Sequence, residues 1–325
     1  MAKQELLIGL DFGGTKLTAG IARKDETALL GRLQCPTQTP KGAKGDLRAM
    51  LGLADQLLDQ NEGKLLAVGV SFGGPVDFRK GIVLISHHIP GWEGFPLRQR
   101  LQDRLKVPVV VDNDANAGAW GEWQYGAGQG YRSVLYVTVS TGVGGGLVVD
   151  GRPYRGADST AGEIGHVRIQ SDGPICTCGR RGCVESLAAG PYIARAAQRK
   201  VRENPSSGKI LLDLAEGSPD AITSELIAHA ADLGDGLSQE VLRDAACALG
   251  RGIASAIHLL NPDCVLLGGG MTKAGEVYLQ VVREATKAEM PPNVTVNIVP
   301  ATLGADAPLW GALYLAREAM RMAPA

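Results

Sequence analysis

One histidine and three cysteines stand close together in the segment GEIGHVRIQSDGPICTCGRRGCVES, bracketed by Glu163 and Glu185. His166, Cys176, Cys178 and Cys183 offer one imidazole and three thiolates, the set that fills all four positions of a tetrahedral zinc ion. Nothing is left open for a reactive water, so a zinc held there would be structural. Disulfide bonding is the alternative. No secretory leader is expected, and three of the six cysteines share one short segment with a histidine, which argues for metal. Cys35, Cys247 and Cys264 stand apart in apolar surroundings and read as core thiols.

Two further clusters could handle anions and protons. Asp11, Gly13, Gly14, Thr15 and Lys16 follow an apolar run. Glycines there let backbone N–H groups face an anion, Thr15 adds a hydroxyl donor, and a nearby carboxylate could hold hydrated magnesium. A glycine hairpin is often only a turn. A second such stretch, Ser140 to Gly146 (STGVGGG), recurs later in the chain and favours phosphate binding. No Walker-type motif is present, so a P-loop enzyme is excluded. In VVVDNDANAGAW an apolar strand ends in Asp112, Asn113, Asp114 and Asn116. A carboxylate at such a strand end can take the proton of a hydroxyl as its oxygen attacks a phosphoryl group. Helix capping is the competing use, since Asp and Asn are favoured caps, but four polar groups exceed what one cap needs.

The elements that must carry these residues can be read from apolar spacing. Leu6–Asp11 reads as a buried strand, turned through GGTK into a second, with a third over Glu26–Pro36. Helices follow over Lys44–Asn61 and after Trp92, where Leu97, Leu101 and Leu105 are in register. Strands fall at Leu65–Ser71 and Val107–Val111, then a helix over Ala115–Trp123. The second half opens alike, with a strand over Ser133–Val139, a glycine turn and a return strand. His166–Gln170 is expected as its third strand. A long helical region to Leu260, strands over Asp263–Leu267 and Val294–Val299, and a helix opened near Asp306 and Pro308 complete it. The chain thus reads as a duplicated α/β protein. The expected domains are 1–115 and 116–305, with a C-terminal helix at about 306–322 returning to the first and a small-molecule cleft between them.

Composition narrows the partners. With 33 basic and 34 acidic residues, nothing suggests a nucleic-acid face or an anionic membrane surface. No apolar run reaches the ~18 residues of a membrane helix. A cytoplasmic protein with small-molecule partners is expected, which agrees with the cysteine usage.

The series DFGGTK, NDAN, STGVGGG, GEIGH and CTCGRRGC followed by Glu185 resembles the ROK family of bacterial sugar kinases, open reading frames and repressors. That resemblance spans almost the whole chain. It implies an actin-like ATPase, ribonuclease-H-like fold of two αβ domains flanking a cleft. It implies transfer from ATP, with Mg2+, to the 6-hydroxyl of an aldohexose, glucose first, in a homodimer or homotetramer with structural Zn2+. Asp114 is then the general base. Gly74, Asn113, Asp114, Glu163, His166 and Glu185 meet the sugar, and Asp11, Gly13, Gly14, Thr15, Lys16, Thr141, Gly142, Gly269 and Gly270 meet the nucleotide. Gly304 and Ala305 line the adenosine pocket in the family. His166 would bind zinc through one ring nitrogen and a sugar hydroxyl through the other. His88 stands where many glucokinases of the family have asparagine, and leaves the hexose open. A repressor of this family would carry an N-terminal helix-turn-helix. Here the first strand begins at Leu6 with Asp11 and Asp114 both in place, so a kinase is expected.

Overall fold

Leu6 to Phe12 are buried without a break, as expected of a strand covered on both faces. The structure is a computed structural model and describes residues 4–86 and 89–322; His88 lies outside the described residues. Contacts divide the chain into two compact units. The first holds residues up to Tyr136, Gly146–Gly162 and Ala301 onward; the second holds Val137–Gly145 and Glu163–Pro300.

In the first unit, β1 (Glu5–Phe12), β2 (Lys16–Arg23) and β3 (Leu29–Pro36) form an antiparallel meander. The helix α1 (Gly42–Gln60) leads to β4 (Lys64–Phe72), which pairs parallel to β1. A small hairpin, β5 (Val76–Asp77) with β6 (Ile82–Val83), and helix α2 (Leu97–Leu105) precede β7 (Val109–Asn113), parallel to β4. The sheet order is therefore β3-β2-β1-β4-β7. Trp92, fully buried, meets Phe72 and Phe95 edge-on at 4.9 Å each, and Met50, Leu57 and Leu97 complete this core.

Helix α3 (Asp114–Tyr125) follows β7 directly. Beyond it lie β8 (Val134–Val139), β9 (Val143–Val149) and β10 (Arg152–Tyr154). Arg152–Tyr154 is the third strand of the second half, not His166–Gln170, which lies in a 3₁₀ turn and the extended chain after it. The DGR turn, with Asp150 and Gly151 both at positive φ, folds the chain back at once and so supplies the third strand early. The helices α4 (Val184–Ala188), α5 (Gly190–Glu203), α6 (Lys209–Leu214), α7 (Ser224–Asp232) and α8 (Gly236–Leu260) lead to β11 (Cys264–Gly268). Helix α9 (Glu276–Ala288) then connects it to β12 (Asn297–Pro300), parallel to β11. The second sheet runs β10-β9-β8-β11-β12, the same plan as the first. The actin-like, duplicated α/β arrangement is thus borne out. No helix among the described residues is long and apolar enough to cross a membrane.

The last helix, α10 (Ala307–Met322), packs on α3, β1 and β4. Glycine makes that approach possible: a Cβ on Gly69 would lie 1.8 Å from the carbonyl oxygen of Ala312, and one on Gly311 would lie 1.7 Å from that of Ala117. Buried Glu122 anchors the segment before α10 by accepting from the backbone N–H groups of Leu303 at 2.7 Å and Thr302 at 3.1 Å. These contacts put α3 in the first unit, so the contact division does not fall at the expected 115/116. Of the lone cysteines, Cys264 is a core thiol, whereas Cys35 and Cys247 are only half-buried.

Candidate active site

The polar cluster at the end of β7 divides its labour residue by residue. Asn113 is the cap of α3: its Oδ1 accepts from the backbone N–H of Ala115 (2.9 Å) and Asn116 (3.3 Å). Its amide nitrogen donates to the carbonyl of Gly74 (3.0 Å) and to Asp114 Oδ1 (3.0 Å). Gly74 therefore positions Asn113, and a sugar hydroxyl would have to displace one of these bonds to meet that amide. Asp112 is only 1% exposed. Its Oδ1 accepts from Asn113 N (2.9 Å) and Asn116 Nδ2 (3.0 Å); its Oδ2 accepts from Trp120 Nε1 (3.3 Å) and Arg155 Nε (2.6 Å). Such a carboxylate cannot reach a substrate proton. Asp114, the first residue of α3, is half-buried and accepts from Ala115 N at 2.9 Å through Oδ1. The helix N-terminus favours its negative charge.

On β1, next but one along the sheet, Asp11 is buried and its Oδ1 accepts from Ser71 Oγ at 2.8 Å. Burial pushes its carboxyl up to about 7; the Ser71 bond and Lys16 oppose the rise, and Asp114 adds to it. The adjoining turn is closed by Gly13 N–H donating to the Lys16 carbonyl at 3.1 Å, and leaves Gly14 and Thr15 exposed. The first unit thus brings Asp11, the Gly13–Lys16 turn, Asn113 and Asp114 to the carboxyl end of its parallel strands, where α/β sheets bind ligands.

In the second unit the β8–β9 turn is pinned by Ser140 N–H donating to Gly142 O at 2.9 Å, and Ser140 O accepts from the Gly190 N–H at the start of α5. Ser140 and Thr141 line a cavity of about 630 Å³ with the α5 start, one face of α7 and the turn after β11. Gly270 is in its wall; Gly142 and Gly269 flank it in sequence, and Gly304 and Ala305 belong to the first unit. Thr223, Glu225, His229 and Lys273 also line it, and sequence reasoning missed them. The sequence signal of the first three is a capped amphipathic helix, with Thr223 Oγ1 accepting from Leu226 N, while Lys273 lies in the turn after β11.

The Cys₃His cluster assembles in the same unit. The four donor atoms lie within 4.8 Å of one another, with Cys178 Sγ 3.7 Å from Cys183 Sγ and Cys176 Sγ 3.6 Å from His166 Nδ1. A tetrahedron with metal–ligand bonds of ~2.0–2.3 Å has edges of roughly 3.3–3.8 Å, which the two short separations match. The residues present therefore fit a zinc ion. Gly182 makes the knuckle possible: it has φ +68° and a Cβ there would lie 1.5 Å from the carbonyl of Gln170. His166 ends a 3₁₀ turn whose N–H bonds back to Glu163 O, and its Nε2 is 3.9 Å from Glu163 Oε2. Cys183 immediately precedes α4, which carries Glu185 in its first turn. Glu185 Oε1 accepts from Thr177 Oγ1 at 2.7 Å and Oε2 from Val143 N at 3.2 Å, linking the knuckle to the β8–β9 turn.

Two sheets of one plan, each ending in a glycine turn, with a carboxylate at a helix start in one unit and a Cys₃His knuckle in the other, place the molecule among the actin-like ATPases. The chain belongs to the ROK family, whose sequence model matches residues 7–319. It is 34% identical over 321 residues to the glucokinase of Streptomyces coelicolor, covering 96% of this chain and 98% of that protein. A ROK family glucokinase from Streptomyces griseus, solved with glucose and AMPPNP, superposes with a TM-score of 0.83 at 35% identity, over 96% of this chain and 99% of that one. The ROK hexokinase of Thermus thermophilus gives 0.85 at 34% identity, over 98% and 100%.

Proposed function

We propose that this chain is an ATP-dependent hexokinase that transfers the γ-phosphoryl group of MgATP to the 6-hydroxyl of glucose. The observation that carries the reading is the division between two neighbouring carboxylates: Asp112 is buried and fully bonded, while Asp114 sits half-exposed at the helix start. Asp114 accepts the proton of the attacking 6-hydroxyl as the new P–O bond forms and ADP leaves. The Gly13–Lys16 turn, through Thr15, Lys16 and its backbone N–H groups, holds phosphate oxygens, and Thr141 offers a hydroxyl to the nucleotide's phosphates. Asp11 stands behind that turn to meet the hydration shell of the magnesium carried with ATP.

In the second unit Glu163, His166 and Glu185 offer two carboxylates and an imidazole, groups that accept from and donate to adjacent sugar hydroxyls. Zinc, held by His166, Cys176, Cys178 and Cys183, has a closed shell and supplies no chemistry beyond shaping the loop. His166 Nδ1 faces Cys176, which leaves Nε2 for the sugar. The 630 Å³ cavity beside Thr141 and Gly270 is large enough for a nucleoside. A homo-oligomeric cytoplasmic enzyme completes the reading.

The test is ADP release coupled to an indicator reaction over glucose, mannose, fructose, N-acetylglucosamine and N-acetylmannosamine. Glucose should give the highest kcat/KM and mannose the next. An N-acetylated sugar exceeding glucose by about tenfold, about 1.4 kcal/mol in transition-state binding, would overturn the sugar assignment and leave the kinase class standing.

A further inference from the structure

Arg155 comes from the segment after β10, more than forty residues beyond the strand end that it serves, and its side chain is only 17% exposed. Its guanidinium stands 3.7 Å from the centroid of the Phe78 ring and 5.1 Å from that of Trp120, while Nε donates to Asp112 Oδ2 at 2.6 Å. Trp120 donates to the same carboxylate oxygen, so the indole and the guanidinium grip it together. The other oxygen holds Asn113 N and Asn116 Nδ2, which fixes the backbone on both sides of Asp114. The second aromatic wall is held as well: Phe78 N donates to Ser159 Oγ at 3.3 Å, and Ser159 has φ +62°, a conformation that costs a non-glycine residue free energy. Ala161 N closes the loop back onto Arg155 O at 3.1 Å. Two residues of one loop, Arg155 and Ser159, thus reach a buried aspartate and its aromatic cover.

We infer that Arg155 is a positioning residue for phosphoryl transfer, acting through Asp112 to fix the geometry of the Asn113–Asp114 turn. This inference rests on the reading of Asp114 as the base. Without the guanidinium, Asp112 becomes a buried anion held by neutral donors alone, two residues before the base and on the same turn. A stranded charge of this kind is strongly unfavourable and relaxes by moving backbone or drawing in water. A displacement of about 1 Å at a reacting group is enough for a ~10²-fold loss.

Four variants decide the matter: Arg155→Met, Arg155→Lys, Asp112→Asn, and the double variant Arg155→Met/Asp112→Asn. Each is measured for kcat, glucose KM and thermal midpoint, with Asp114→Asn run alongside. Arg155→Met should lose about 10²-fold in kcat with glucose KM changed less than threefold. Arg155→Lys, which keeps the cation but not the planar fork, should recover roughly tenfold of that loss. The double variant, with no stranded charge, should turn over at least about tenfold faster than Arg155→Met alone. A full kcat in Arg155→Met beside an inactive Asp114→Asn overturns the positioning role, as does a double variant no faster than the single. A lowered melting point with kcat unchanged shows a merely structural ion pair and also overturns it. Should Arg155→Met fail to fold, Arg155→Lys and the double variant carry the same comparison. If Asp114→Asn itself turns over normally, the base assignment fails instead, and the two failures are told apart.

Discussion

The turn between β1 and β2 and the turn between β8 and β9 join equivalent positions of two sheets with one strand order. The first has a buried aspartate, Asp11, on its leading strand; the second has only the hydroxyls of Ser140 and Thr141. Around the first lie further charges, Asp114 and Lys16, that shift Asp11. Around the second, stabilisation comes from backbone groups, Ser140 N to Gly142 O and Gly190 N to Ser140 O, and from Glu185 reaching Val143 N. A duplicated frame has thus been divided. One copy gathers ionisable side chains around its turn, and the other is held mainly by backbone groups and the Glu185 carboxylate. What the sheets share is geometry, and what separates them is the cost of burying an ion.

The largest effect expected from breaking this contrast is on the charged side. Asp114→Asn should lower kcat by roughly 10²–10⁴-fold while glucose affinity, measured by calorimetry, changes little. Near-normal turnover would remove the distinction between the turns. The next effect belongs to the neutral side's scaffold. Cys178→Ser should lose zinc, measured by elemental analysis at about one per chain in the parent, together with most glucose affinity, because Glu163, His166 and Glu185 hang on that knuckle. Hydrogen exchange should show the 163–185 segment opening while β1 and β4 stay protected.

Asp11 sharpens the comparison by pH. Its folded value of about 7 lies above the usual 3.8, so the folded chain holds a proton that the unfolded chain releases. Stability therefore falls as pH rises between those two values and stays lower above them. Asp11→Asn should be catalytically poor yet melt on the order of a few °C higher than the parent at pH 8 in chelator, with the gap closing toward pH 4. An equal gap at both pH values would count against the burial explanation. The smallest effect is expected at the neutral turn. Thr141→Val removes one hydroxyl and should raise the KM for ATP about tenfold, the worth of a hydrogen bond to a charged group, with kcat held within a few-fold.

The chemistry of individual residues was more legible in the sequence than their partners. His166 and the three cysteines are close in the chain, so spacing alone brought their ligand atoms together. The Asp112 to Asn116 cluster was legible as a strand end feeding a helix. That Asn113 is the cap and Asp112 the buried anchor was not, because Trp120, Arg155 and Gly74 decide it and two of those are remote in sequence. The cavity wall from α7 carries no chemical signature beyond amphipathic spacing. The third strand of the second half was misplaced because Arg152–Tyr154 has only three residues, too few for alternation to register, whereas the apolar residues after His166 drew the assignment.

The glycine-lined seat of α10 has a consequence for biogenesis. The first sheet is complete once β7 ends at Asn113, yet the helix that covers β1 and β4 begins only at Ala307, after the whole second unit has been made. At the usual ~5–20 residues per second of synthesis, that face waits on the order of ten seconds or more without its native cover. The nascent chain must therefore carry an uncovered apolar sheet while its second unit folds, and the last helix acts as the latch that ends that exposure. Gly69 and Gly311 leave room for the latch only when it lies flush, so completion of the first unit waits on a segment made after the whole second unit.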